Sequence, residues 1–305
     1  MVQSKINIWL QAFRLRTLPL ALANAIMGSF LALADGAFRW PVFILTMMTI
    51  TFLQILSNLA NDYGDAQSGK DTEKRVGPQR VTATGLVTKG QIKKMIYLFV
   101  AFSFISGTTL IFIGLNNVGW KLLVLFFVLG ISAIIAALKY TMGKNPYGYK
   151  GLGDIFVFIF FGLVGVIGTY YLHTHWIEIS LFYPAAAIGL LSTGVLNINN
   201  LRDIGTDAQT GKHTLAVKHG ASFAKAYHLT LVVAAMLFSF VYTLTQYYSP
   251  WQWLFLISLP LFIRNIVRVY RHKNANELNN ELKNLALATF FFALTFGIGL
   301  VVRSF

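Results

Sequence analysis

Apolar runs about as long as a bilayer crossing, each closed by glycine, proline or charge, recur along most of the chain. Two examples are "YLFVAFSFISGTTLIFIGL" (97–115) and "LLVLFFVLGISAIIAAL" (122–138). A helix needs about 20 such residues to cross about 30 Å of hydrocarbon. Runs of this kind predict nine helices, near residues 17–34, 41–60, 92–114, 121–138, 152–172, 181–199, 224–245, 251–270 and 284–302. Gly162, Gly165, Gly168 and Pro260 fall inside runs; membrane helices tolerate them, and small residues let neighbours approach. The expectation is an all-α membrane protein, a single polytopic domain over residues 1–305. The polar stretch 268–284 reads as a linker between the last two helices.

Composition agrees. Of 305 residues 56% are hydrophobic and 12% charged, with mean hydropathy +0.61; a soluble domain carries about twice that charged fraction. The absence of cysteine excludes disulfides, thiolate catalysis and Cys-ligated metals. Arg14 and Arg16 before a run ending in Ala32-Leu33-Ala34 superficially resemble a secretory signal, but the run reads as the first span. The net charge of +14 would suit nucleic acid in a soluble protein; here its location matters more. With the N-terminus in the cytoplasm, 22 of the 25 Lys and Arg fall inside, and only Arg39, Lys121 and Arg303 outside. The positive-inside rule thus predicts N-in, C-out, in a bilayer and without nucleic acid.

One octapeptide occurs nearly twice, "DAQSGKDT" at 65–72 and "DAQTGKHT" at 207–214. Four predicted helices separate the copies, so both emerge at the same, cytoplasmic edge. In motif one (58–80), Asn58, Asn61, Asp62 and Asp65 fall at helical spacings that share a face, and Asp71 follows. In motif two (197–220), Asn199, Asp203 and Asp207 repeat every four residues. Clustered carboxylate and amide oxygens suit Mg²⁺, which takes hard oxygen ligands and bridges carboxylates to substrate phosphates. Unpaired acids near lipid would cost about 2.5–3.5 kcal/mol each, so a cation must lie among them. Lys70, Lys74, Arg75 and Arg80 follow the first cluster and Lys212 the second, which suits diphosphate oxygens. Gly69 and Gly211 are candidates for close backbone approach to phosphate. The plainer reading makes both segments solvated loops of mixed charge.

At these residues the sequence resembles the UbiA superfamily of intramembrane aromatic prenyltransferases, whose hallmark is two Asp-rich motifs, N-D-x-x-D-x-x-x-D and D-x-x-x-D. Asn61, Asp62 and Asp65 match the first, and Asp203 and Asp207 the second. The last acid of the first pattern falls on Gly69, with Asp71 nearest. The stretches 9–21, 61–87 and 145–171 resemble the 1,4-dihydroxy-2-naphthoate polyprenyltransferase branch; beyond about residue 220 the likeness is only general. The resemblance implies nine spans around a central cavity and Mg²⁺ dependence. It also implies transfer of a polyprenyl chain from polyprenyl diphosphate to 1,4-dihydroxy-2-naphthoate with loss of CO2, giving demethylmenaquinone, at a bacterial cytoplasmic membrane with the site facing inward. Asn61, Asp65, Asp203 and Asp207 are then the catalytic metal ligands, supported by Asn58, Asp62, Asp71 and Asn199.

An acidic acceptor needs a cation. Arg14, Arg16 and Arg202 are candidates, against interfacial snorkelling. Asn24, Tyr140, Lys144 and Tyr149 are further acceptor candidates, Asn24 against an ordinary interhelical hydrogen bond. Aromatic side chains could shield a carbocation. His173 and His175 look like a metal pair but fall on the predicted outer side, where a solvated loop is the simpler reading. Two alternatives stay open: a prenyltransferase with another acceptor such as 4-hydroxybenzoate, and a cation transporter using paired acids.

Overall fold

A computed structural model describes residues 4–69, 76–77 and 80–302. Among the described residues, nine helices are long and apolar enough to cross a membrane. The first span is Leu18–Ala34 and the second Trp40–Gln67. The third to fifth are Lys89–Gly114, Trp120–Lys139 and Gly153–Thr174. The sixth to ninth are Ile179–Arg202, Leu215–Thr245, Pro250–Arg271 and Glu277–Val301. Local sequence explains many of the starts. Prolines stand in the first turn of the first, second and eighth spans, where no intrahelical N–H is required. Capping boxes begin the third span at Thr88–Gln91 and the eighth at Ser249–Gln252. Pro260 lies where the eighth span changes from a 3-10 stretch, Pro250–Ser258, to an α-helix, Leu259–Arg271. It occupies the first turn of that α-helix, so its missing N–H breaks no bond.

Polar ends make several helices longer than the apolar pattern indicated. The second span continues through motif one to Gln67, and the ninth begins at Glu277 rather than near residue 284. The linker expected over 268–284 is therefore mostly helix. Its polar groups face partners: buried Asn265 donates to the Glu281 side chain at 3.0 Å, Arg268 donates to the same carboxylate at 3.2 Å, and His228 meets Asn265 at 3.0 Å. An additional helix, Lys5–Phe13, precedes the first span and ends at Arg14, which takes a left-handed conformation with φ 50°.

Packing fixes which helix ends meet. Gly297 lies directly under the Phe30 ring, joining the ninth and first spans, and Gly162 lies against Gly189, joining the fifth and sixth. The fourth span is peripheral, with only Ala136 buried. Opposite the acidic motifs, Arg39 donates its backbone N–H to His173 Nδ1 at 3.0 Å. Its guanidinium donates to the carbonyls of Ile113 and Gly114 at 2.6 and 3.0 Å. His173 is buried against Ser29 and stacked on Phe38, and His175 bonds the Gly114 carbonyl at 2.6 Å. His173 is thus buried rather than solvated, whereas His175 stays exposed; both help tie helix ends together, as does Arg39.

Candidate active site

The two copies of the octapeptide fold alike. Asp65 lies in the last turn of the second span, and Gly69 follows with φ +67°. Asp207 lies on the short helix Ile204–Gln209, and Gly211 follows with φ +69°. Both glycines take the left-handed conformation that ends helices and disfavours any residue with a Cβ. The repeated glycine is a helix stop in both motifs. Gly64 has a separate role, because a Cβ there would lie 2.6 Å from the Thr141 carbonyl oxygen. The loop after the fourth span packs directly on motif one, and Thr141 donates to the Ala60 carbonyl at 3.0 Å and contacts Asn61 Oδ1 at 3.2 Å.

Asp62, Asp65, Asp203 and Asp207 are all buried rather than solvated. Each is paired, as buried charge requires. Asp65 meets Arg80 at 2.5 Å and Lys212 at 3.1 Å, and accepts a hydrogen bond from Tyr149. Lys212 also lies 3.6 Å from Asp207 and 5.0 Å from the centre of the Tyr149 ring. One ammonium thus joins the two motifs. Asp62 is held between Arg14 and Arg80. Arg202 grips Asp203 with both prongs, at 2.8 and 2.6 Å, and reaches Asn199 at 2.8 Å and Asn279 at 3.0 Å. Burial pushes the Asp207 carboxyl up to about 6, with Lys212 opposing and the Asp203 and Asp65 charges adding. Burial and the neighbouring Asp65 raise the Tyr149 phenol, which therefore stays a neutral donor.

This cluster lines one end of a cavity of about 440 Å³. Asn61, Asp65, Arg80, Asn199, Asp203, Asp207 and Lys212 face it, as do Arg14, Arg16, Asn24, Asn58, Tyr140, Tyr149 and Arg202. Beyond them the wall turns apolar. Tyr147 stacks on Phe156 at 4.0 Å and meets Tyr140 edge-on at 5.4 Å, and Phe126 and Phe160 continue the aromatic lining. Much of the fifth span here, Phe158–Ile167, is a π-helix. Buried polar atoms on the wall, Asn24 Oδ1, Ser192 Oγ and Thr46 Oγ1 among them, have no hydrogen-bond partner among the described residues. Arg16 likewise has no carboxylate partner among them, which leaves its charge available to an anion.

Several candidates are placed differently from expectation. Asp62 does not line the cavity; it holds Arg14 and Arg80 from behind. Asn58 spends its amide N–H groups on the Phe13 carbonyl and the Thr17 hydroxyl, fixing the entry to the first span. Lys144 is exposed and off the cavity. Tyr149 touches Asp65 and Arg202 grips Asp203, so both stand beside the acids while lining the cavity. Lys70, Asp71, Lys74 and Arg75 lie outside the described residues. Sequence reasoning missed Thr141 and Ser192, because isolated hydroxyls in apolar or loop sequence carry no spacing signal.

A Mg²⁺ ion is consistent with the donors present: Asn61, Asp65, Asn199, Asp203 and Asp207 offer hard oxygens around one opening. Among the described residues no three acidic or histidine side chains converge as a closed metal cage.

Comparison with known proteins agrees with this architecture. Residues 21–295 match the UbiA prenyltransferase family. The chain is 42% identical over 304 residues to the 1,4-dihydroxy-2-naphthoate octaprenyltransferase of Haemophilus influenzae, covering 99% of this chain and 98% of that one. It shares the fold of a UbiA homolog from Aeropyrum pernix, with TM-score 0.67 at 17% identity over 98% of both chains. A UbiA homolog from Archaeoglobus fulgidus bound to DMAPP and Mg²⁺ superposes with TM-score 0.64 at 15% identity, over 96% of this chain and 98% of that one. With a family match spanning most of its length and a relative this similar end to end, the chain belongs to the UbiA prenyltransferase family.

Proposed function

We propose that the protein transfers a polyprenyl chain from polyprenyl diphosphate to 1,4-dihydroxy-2-naphthoate, releasing diphosphate and CO2, in the menaquinone pathway. The observation that carries this reading is Lys212, which joins Asp65 of one motif to Asp207 of the other at the mouth of an aromatic-lined cavity. The name of the Haemophilus influenzae relative supports the acceptor. In this reading the spans enclose a central cavity, the N-terminus and the acids lie on the cytoplasmic side of a bacterial inner membrane, and the C-terminus lies outside.

The donor's diphosphate takes its place among Arg80, Lys212 and the remaining basic residues of the two motifs. Arg80 and Lys212 are neutralised by carboxylates in the free protein; with the anion to pair them instead, Asn61, Asp65, Asn199, Asp203 and Asp207 would be free to hold Mg²⁺. The bound ion supplies electrostatic stabilisation of the departing diphosphate. Arg80 and Lys212 add to it as negative charge grows on the leaving oxygen. The allylic carbon becomes cationic beside Tyr140, Tyr147 and Phe156, whose π faces favour positive charge and whose bulk excludes water. Arg16 holds the acceptor carboxylate, and Asn24 and Ser192 offer unspent polar atoms for its ring oxygens. The ring carbon bearing the carboxylate attacks the allylic carbon. The electrons of the carbon–carboxylate bond then return to the ring as CO2 departs, leaving the reduced form of demethylmenaquinone.

Purified protein in detergent is expected to convert the naphthoate with a polyprenyl diphosphate only when Mg²⁺ is present, read as product mass. Turnover of 4-hydroxybenzoate but not the naphthoate would instead make this a prenyltransferase of a different acceptor. Ion flux in proteoliposomes without any prenyl transfer would favour a transporter.

A further inference from the structure

Glycine in a membrane helix normally earns its place by letting two helices touch. Gly28, Gly162, Gly189 and Gly297 do so here: a Cβ on any of them would come within 2.3–2.8 Å of a neighbouring span. Gly107, Gly130 and Gly168 do not. A Cβ there would meet nothing closer than Thr49 at 3.6 Å, Ile111 at 3.8 Å and Phe126 at 4.0 Å respectively. All three are half-buried and all three line the cavity, one each on the third, fourth and fifth spans. Neither packing nor a positive φ requires glycine at these positions. A Cβ at each would make only ordinary van der Waals contact, so what glycine leaves there, beyond a methyl group, is room in the cavity that all three line.

That volume lies far from the acids. Gly107, Gly130 and Gly168 stand 7, 10 and 6 residues from the span ends remote from the motifs. Thr49, the neighbour of Gly107, is 16 residues before Asp65 on the second span, about 24 Å along a helix. Thr46, one turn further on, lines the same region; it is buried to 2% exposure, and its hydroxyl has no hydrogen-bond partner among the described residues. The wall here is otherwise apolar, with Leu110, Ile111, Phe126 and Leu172.

We propose that Gly107, Gly130 and Gly168 form a girdle that keeps the remote arm of the cavity open for the distal isoprene units, and so determine how long a donor chain the enzyme accepts. The inference rests on the proposed prenyl transfer and deepens it. A two-unit tail anchored at the acids ends short of the girdle, whereas an eight-unit tail running down the cavity must pass it. Leucine at any of the three positions would fill the arm without breaking the helix, since leucine is a good helix former.

The test uses the full-length protein with Gly107→Leu, Gly130→Leu and Gly168→Leu, and the alanine variants beside them. The readout is the ratio of kcat/KM for an eight-unit to that for a two-unit prenyl diphosphate, with 1,4-dihydroxy-2-naphthoate as acceptor. The ratio is expected to fall about tenfold or more in the leucine variants, and the alanine variants to unfold no earlier than the parent on heating in detergent. An unchanged ratio, whatever the absolute rates, would overturn the proposal, as would alanine variants that fail to fold, since that would reveal a packing role. Direct titration with the two donors separates this idea from the reaction itself. If the parent turns over no naphthoate but leucine selectively weakens binding of the eight-unit donor, the girdle stands and the acceptor assignment falls. If leucine leaves the binding of both donors alike, the girdle falls.

Discussion

At the scale of single residues, the acidic cluster is defined by who neutralises whom. Asp65 carries the densest set of partners, Arg80, Lys212 and Tyr149, and Asp207 is tied to the same lysine. Asp65→Asn and Asp207→Asn keep the shape of the side chain and remove its charge. Each is expected to lower turnover by about 10²-fold or more, the scale seen when one charge-stabilising group is lost, while the protein still elutes as a folded species in detergent. Tyr149→Phe removes one hydrogen bond to a charged acceptor, worth about 1.5–3 kcal/mol, so a loss of about ten- to a hundredfold in kcat/KM is expected. Asp207 also sets a pH limit. Burial pushes its carboxyl up to about 6, and only the ionised form can hold a cation. Mg²⁺-dependent donor binding should therefore be full well above pH 6 and weaken as pH falls through that value. In Asp207→Asn that dependence should disappear, leaving weaker binding across the whole range, as read by calorimetric titration.

At the scale of elements, close helix approaches position the acids. The loop after the fourth span lies on the second span because Gly64 presents no side chain to the Thr141 carbonyl. Gly64→Val forces that contact apart, and overpacking of this kind costs about 1–3 kcal/mol; thermal unfolding in detergent should shift down accordingly, with activity falling because Asn61 loses its Thr141 partner. The last three spans are joined differently, by His228, Asn265 and Glu281 inside the apolar interior. Asn265→Leu leaves Glu281 short of a donor, at about 1–3 kcal/mol for an unsatisfied buried group. Because this network is away from the cavity lining, stability should drop while the donor-length preference stays as in the parent.

At the scale of the whole molecule, charge asymmetry and the shared edge of the two motifs belong together. Arg39 bonded to the ends of the third and fifth spans marks one edge, and Lys212 between Asp65 and Asp207 marks the other. The proposed orientation, with the acids toward the cytoplasm, can be read directly because the chain has no cysteine. Single cysteines at the exposed positions Lys144 and Lys121 should react with a membrane-impermeant thiol reagent from opposite faces. Lys144→Cys is expected to be labelled in inverted vesicles and Lys121→Cys in intact cells; the reverse pattern would invert the topology.

Hydrophobic periodicity alone located the spans, because a helix must cross a fixed thickness of hydrocarbon and its apolar length is written residue by residue. The duplicated octapeptide likewise announced Asp65 and Asp207, since acids in so apolar a chain demand a cation. Where polar residues continue a helix beyond the apolar run, as at Asp65 and Glu281, the pattern stopped short: backbone hydrogen bonding extends the helix whether or not lipid surrounds it. Other assignments depended on contacts between segments remote in sequence. Asp62 behind the cavity rather than on it, His173 buried rather than solvated, and Gly107 lining the cavity while Gly297 meets a ring are all set by the rotation of one helix against another, and spacing along a single helix carries no information about its neighbours.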